Sequence, residues 1–119
     1  MAINIVFLEL PSGKRPVEEY LLSIDVEAAA RITKQLEDLV QAVNPMVYIQ
    51  HCGWIEKMNG YKKYSLYEMK FRRFKDIRHR ILSCLNGGTL YLVHAFGKKT
   101  GKIQKREIDT SIHRIKNNI

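Results

Sequence analysis

Hydrophobic and polar positions alternate along this chain with two periods. Where they recur every second residue they predict strands, and where they recur every third or fourth they predict helices. Residues 3–10 (INIVFLEL) read as a strand that ends at Pro11-Ser12-Gly13. Pro16 then opens a short helix over residues 16–23. Glu18 and Glu19 sit in its first turn, where the helix dipole favours negative charge, and Val17, Tyr20 and Leu21 form its buried side. Asp25 is placed to cap a longer second helix whose apolar stripe is Val26, Ala29, Ile32, Leu36, Leu39, Val40 and Val43. Pro45 is expected to stop that helix near Asn44.

Residues 46–57 fit two patterns, a short strand at 47–49 or a packed loop anchored by Trp54. Three strands are then expected over residues 65–74, 77–85 and 89–98, with Asn86-Gly87-Gly88 as a tight hairpin between the last two. Gly97 and Gly101 break the pattern around a basic knot of Lys98, Lys99, Lys102, Lys105 and Arg106. A final helix follows, with Ile108, Ile112, Ile115 and Ile119 on one face.

Strict alternation also predicts which residues share a sheet face. Tyr67, Met69 and Phe71 oppose Glu68, Lys70 and Arg72. Ile81, Ser83 and Leu85 oppose Arg78, Arg80, Leu82 and Cys84. Tyr91, Val93 and Ala95 oppose Leu90, Leu92, His94, Phe96 and Lys98. One face is then apolar, for helices to cover. The other is apolar at one end and cationic at the other, where Lys70, Arg72, Arg78, Arg80, His94 and Lys98 are expected to converge. The predicted class is α+β: a strand, two helices, a three-stranded antiparallel run and a C-terminal helix, with the helices on one sheet face.

Composition narrows the picture. At 119 residues the chain is expected to be one domain, residues 1–119, large enough for a core without disulfide staples. No apolar run reaches the length of a membrane span, and the N-terminal apolar stretch contains Glu9 and has no basic lead, so a cytoplasmic protein is expected. Cys52 and Cys84 show no metal or redox spacing and are expected to be reduced thiols, and His51-Cys52 is poor metal spacing. The net charge of +8 is uneven. Residues 1–60 carry five cations against eight anions, and residues 61–119 carry fifteen against four. A field confined to one half points to a polyanionic partner such as nucleic acid.

The chain has no paired carboxylates, phosphate-binding glycine loop or zinc pattern. A basic concave face suits RNA cleavage by attack of its own 2′-OH on the adjacent phosphate. That reaction needs no metal or other cofactor, only donors for the oxygens that gain charge and help with two protons. Lysine and arginine supply the donors. His94, or a lysine among other cations, supplies the proton exchange. Each residue also has a purely structural reading: His94 as a packed sheet histidine, Arg80 as the partner of Glu68, and Lys70 with Arg72 as a solvated strand face.

The runs Leu66-Tyr67-Glu68-Met69-Lys70, His79-Arg80-Ile81-Leu82, Leu92-Val93-His94-Ala95-Phe96 with Lys98-Lys99-Thr100, and Lys105-Arg106-Glu107-Ile108 occur in that order. With Pro16 to Leu21 upstream, the pattern resembles the phage-derived branch of the HigB/RelE-like toxins of type II toxin–antitoxin modules. The resemblance implies a RelE-like fold and a ribosome-dependent mRNA endoribonuclease. It implies as partners the ribosome, mRNA and a cognate helix-turn-helix antitoxin. By position, Arg80 matches the family's strand arginine, Lys98 and Lys99 match its lysine pair, and Lys70 stands where arginine is common. Lysine there loses the bidentate fork to phosphate, and Ile103-Gln104 replaces the usual Thr-Pro. The expected catalytic set is Lys70, Arg80, His94 and Lys98. The expected RNA contacts are Arg72, Arg73, Lys75, Arg78, Lys99, Lys102 and Lys105. A non-catalytic RNA- or ribosome-binding module on the same fold is the alternative, and a DNA-binding regulator fits less well for want of a helix-turn-helix.

Overall fold

The computed structural model describes residues 3–98 and 101–119. Within them the elements run β1 (Asn4–Phe7), α1 (Pro16–Ser23), α2 (Val26–Gln41), α3 (Pro45–His51), β2 (Ile55–Lys57), β3 (Leu66–Lys70), β4 (Arg78–Asn86), β5 (Thr89–Lys98) and α4 (Lys105–Asn118). The sheet order is β1-β5-β4-β3-β2. β1 runs parallel to β5, and the other neighbouring pairs are antiparallel. The expected α+β class is present, and so is the antiparallel run of three strands.

Local chemistry accounts for most element boundaries. The Asp25 side chain accepts from the Glu27 backbone N–H at 2.8 Å and starts α2. The buried stripe of α2 is Ala28, Ile32, Leu36 and Leu39, whereas Val26 and Val43 of the expected stripe are 84% and 96% exposed. Val26 is the first residue of the helix and Val43 lies beyond its end, so neither faces the sheet. Pro45 does more than stop α2. It opens α3, because a proline in the first turn gives up an N–H that has no helical partner there. The Asn44 side chain caps α3 by accepting from the Val47 N–H at 3.2 Å. The expected strand at 47–49 is therefore helix, and Trp54 anchors the chain between α3 and β2. Its ring lies 5.5 Å from Phe71, and its Nε1 donates to the Tyr48 hydroxyl. β3 ends at Lys70 rather than at 74, because Phe74 and Ile77 exchange backbone hydrogen bonds around Lys75-Asp76. Both central residues have positive φ, the backbone of a two-residue hairpin turn, without the usual glycine.

The helices do not share one face. Val17 of α1, Ile32 and Leu39 of α2 and Ile49 of α3 pack with Met69, Ile81, Leu90 and Leu92. On the opposite face, Ile108 and Ile115 of α4 pack with Leu66, Leu82, Val93 and Phe96. Strict alternation in β5 would have put Leu90, Leu92, His94, Phe96 and Lys98 together. A β-bulge prevents this: Leu82 pairs with His94 and Ser83 with Leu92, so Val93 is the extra residue. Leu90 and Leu92 thus face α1 and α2, while Val93 and Phe96 face α4.

Gly97 shows how closely the strand end is packed. A Cβ there would lie 2.9 Å from both Ile77 Cγ2 and the Tyr20 hydroxyl oxygen. We expect Gly97→Ala to cost about 1–3 kcal/mol by overpacking. Urea unfolding checks this, and an unchanged midpoint would mean that Ile77 and Tyr20 yield freely.

Candidate functional site

The register of β3, β4 and β5 places like charges face to face. Arg78 lies directly opposite Lys98, and Lys70 lies directly opposite Arg80. All four belong to the sheet face that carries α4, beyond the apolar Phe96. Direct cross-strand pairs of like charge repel, so neighbouring groups must offset them. Arg80 donates to the Glu68 carboxylate at 3.0 Å, with both side chains about nine-tenths buried. Its other terminal nitrogen donates to the Gly101 carbonyl at 3.0 Å. Lys70 Nζ lies 2.8 Å from Glu56 and holds that carboxyl below its ordinary range. Lys98 donates to the Lys102 carbonyl. The last contact and the one to Gly101 draw the segment after β5 onto the cationic end of the sheet.

Two donors at this end are unmet. Arg78 Nε and Arg80 Nε are buried and have no hydrogen-bond partner among the described residues. A buried donor without an acceptor costs on the order of 1–3 kcal/mol, and more when charged. A guanidinium group carries several N–H donors, and phosphate oxygens accept from several donors at once.

The six groups expected to converge here do not all do so. His94 lies under α4, with Nε2 3.0 Å from Glu107 and Nδ1 3.1 Å from Arg114. Arginine can only donate, so Nδ1 accepts and Nε2 carries the proton toward Glu107; this tautomer is assigned from the partners. Burial lowers the His94 pKa, and although Glu107 works against this, the ring is neutral with both nitrogens engaged. Arg72 departs because β3 ends before it, and it lines a pocket on the α2 side with Arg31 and His79. Arg73, Lys75, Lys102 and Lys105 are exposed. Lys75 pairs with Asp25 at 3.0 Å, and Lys105 stands 4.0 Å from Asp109. Lys99 lies outside the described residues.

One buried polar pair is not expected from the sequence. The Tyr20 hydroxyl lies 2.6 Å from His79 Nδ1. Burial, with the field of Glu107 adding to it, pushes the Tyr20 pKa up to about 12, so its hydroxyl keeps its proton. That hydroxyl donates to Nδ1 when His79 is protonated on Nε2 and accepts from it in the other tautomer, and burial lowers the His79 pKa as well. His79 is 6% exposed. The only sequence signal was its position, on the apolar side of β4 between Arg78 and Arg80. Among the described residues no three His, Cys, Asp or Glu side chains gather to hold a metal ion. Cys52 and Cys84 are free thiols, and among the described residues no helix is long and apolar enough to cross a membrane.

The family model described as phage derived protein Gp49-like (DUF891) matches residues 19–116. No curated protein and no solved structure matches the chain.

The two buried histidines set a pH dependence. Both have folded pKa values below the ordinary 6.5, so the unfolded chain takes up protons first. Their contribution to stability is complete above about 6.5 and is lost as the pH falls below it. We expect the urea midpoint to drop between about pH 7.5 and about pH 5.5, with a smaller drop in His94→Gln. An equal drop in that variant would exclude His94 as a source.

Proposed function

The chain belongs to the phage-derived Gp49-like family, which is associated with toxin–antitoxin systems, and we propose that it is the toxin of such a module: a metal-independent, ribosome-dependent mRNA endoribonuclease with a RelE-like fold. The observation that supports this most is the pair of buried, unmet guanidinium donors of Arg78 and Arg80 beside Lys70 and Lys98. In this reading the scissile phosphate sits over that end of the sheet. Its 2′-oxygen attacks phosphorus, the bond from phosphorus to the 5′-oxygen breaks, and a cyclic phosphate and a 5′-hydroxyl leave. Arg80, Arg78 and Lys98 stabilise the charge that builds on the non-bridging oxygens. The Lys70 ammonium, held in place by Glu56, protonates the departing 5′-oxygen, while the 2′-hydroxyl proton passes to solvent. His94 acts by positioning, because both its nitrogens tie α4 to β5.

The ribosome supplies the rest of the substrate alignment. Arg73, Lys75, Lys99, Lys102 and Lys105 contact messenger or ribosomal phosphates, and Arg72 does so from the α2 side. A helix-turn-helix antitoxin is the partner that silences the site. The second reading, a non-catalytic RNA- or ribosome-binding module, draws on a different observation. The terminal nitrogens of Arg80 are already taken by Glu68 and Gly101.

Arg80→Ala is a poor test, because it leaves the Glu68 carboxylate buried without its partner, at a cost of about 3–5 kcal/mol. Arg80→Lys keeps the charge and loses the planar fork and Nε. Induction of the wild-type chain should arrest bacterial growth and create translation-dependent mRNA 5′ ends. Arg80→Lys, shown to be folded, should reduce those ends by roughly a hundredfold, the scale of one lost transition-state donor. Wild-type ends at full yield in Arg80→Lys would remove Arg80 from the chemistry. A folded wild type that neither arrests growth nor cuts would leave the binding module.

A further inference from the structure

On the opposite side of the sheet from α4, a pocket of about 280 Å³ opens between the N-terminal half of α2 and the segment joining β3 to β4. Phe74 forms an aromatic wall over the buried Phe71, Arg31 and Arg72 bring two cations, and Gln35 and His79 bring polar side chains. Among the described residues no carboxylate lines it. Arg31 lies over the Phe74 ring at 5.0 Å, and Lys75 lies over the same ring at 5.3 Å. Arg31 also pairs with Glu27 at 2.7 Å, an exposed contact on α2 that a bound anion would compete with. His79 is more than nine-tenths buried, and its ring is held from behind by the Tyr20 hydroxyl on Nδ1. Its other nitrogen, Nε2, has no partner among the hydrogen bonds of the described residues, and it donates or accepts according to the tautomer that Tyr20 leaves it.

A fixed imidazole, an amide, an aromatic wall and two guanidinium groups make up the parts of a nucleotide subsite. Aromatic faces stack bases, and a side-chain amide with an imidazole nitrogen reads base edges. Arginines take the phosphate. The pocket is also reached from the cationic sheet end by a short path, since Arg73, Lys75 and Asp76 form the turn between β3 and β4 that joins the two sides.

We propose that this pocket receives one nucleotide of a single-stranded RNA next to the segment at the cationic face, with its base against Phe74, Gln35 and His79 on the base edge, and its phosphate on Arg72 and Arg31. The inference rests on the reading of the partner as RNA, but not on cleavage. It makes the β3–β4 turn a saddle, with cleavage chemistry on one side and base selection on the other.

Trp54 provides the signal for a test. It is the one tryptophan of the chain, and its ring lies 5.5 Å from Phe71. The purified full chain is titrated with nucleoside 5′-monophosphates and, separately, with inorganic phosphate. Trp54 emission and the ¹⁵N shifts of His79 are followed. We expect at least one monophosphate to move both signals, to bind roughly tenfold more weakly to Arg31→Ala, and to bind Lys14→Ala, an exposed position outside both sites, as it binds wild type, since stacking and one guanidinium contact each contribute on that scale. Arg31 is exposed on α2, and circular dichroism confirms that this variant folds. Phe74→Leu is a second variant, which removes the stacking wall and keeps both arginines. Nucleotide binding that leaves His79 unmoved, or that Lys14→Ala abolishes, would overturn the proposal. So would binding of phosphate as tight as that of every nucleotide, because the base would then play no part. These results do not depend on whether induced wild type cuts mRNA, so this proposal and the endoribonuclease reading stand or fall separately.

Discussion

The arrangement at the cationic end of the sheet depends on one extra residue in β5. Without the bulge at Val93, every second residue of that strand would keep one face from Leu90 to Lys98. The core under α1 and α2 would then compete with the core under α4 for the same side chains. The bulge lets Leu90 and Leu92 face one way and Val93 and Phe96 the other. It also turns the Val93 carbonyl to Arg114, which donates to it at 2.9 Å. That arginine holds His94, and His94 holds Glu107 in the first turn of α4. One backbone irregularity thus supplies both the apolar seat and the polar latch of the last helix.

The same docking accounts for the electrostatics. The segment entering α4 crosses the end of the sheet, where Arg80 and Lys98 donate to the carbonyls of Gly101 and Lys102. Glu68 and Glu56 offset part of the repulsion among Lys70, Arg78, Arg80 and Lys98, but two carboxylates do not neutralise four cations. The remaining positive charge and two guanidinium N–H groups that are unmet among the described residues sit on this face. Such a face costs stability in the free chain and gains when an anion arrives, a bias toward binding built into the resting structure.

Both sides of the β3–β4 turn are basic, but they differ in composition. The α4 side is a field of cations with little aromatic surface to stack on beyond the buried Phe96. The α2 side combines cations with the ring of Phe74 and with a histidine fixed by Tyr20. The first suits a phosphate that changes charge, and the second a planar group that must be recognised.

Much of the architecture was legible from residues close together in the chain. Proline at position 16, the Asp25 cap, the Asn86-Gly87-Gly88 turn and the period of each strand determined α1, the start of α2, the β4–β5 hairpin and the three-stranded run, because caps, turns and periodicity act over a few residues. α3 was missed because Asn44-Pro45 reads equally as the end of one helix and the start of the next. The early end of β3 was missed because Lys75-Asp76 turns the chain without a glycine. Five of the six cations and histidines expected on one face are there, though α4 covers His94, and their residue types and strand positions alone placed them. The exit of Arg72, the covering of His94 by α4, the burial of Arg80 against Glu68 and the pairing of Tyr20 with His79 were decided by tertiary structure. They follow from the bulge, the turn and the docking of α4, which set register between residues far apart in the chain, and a local pattern carries no information about such register.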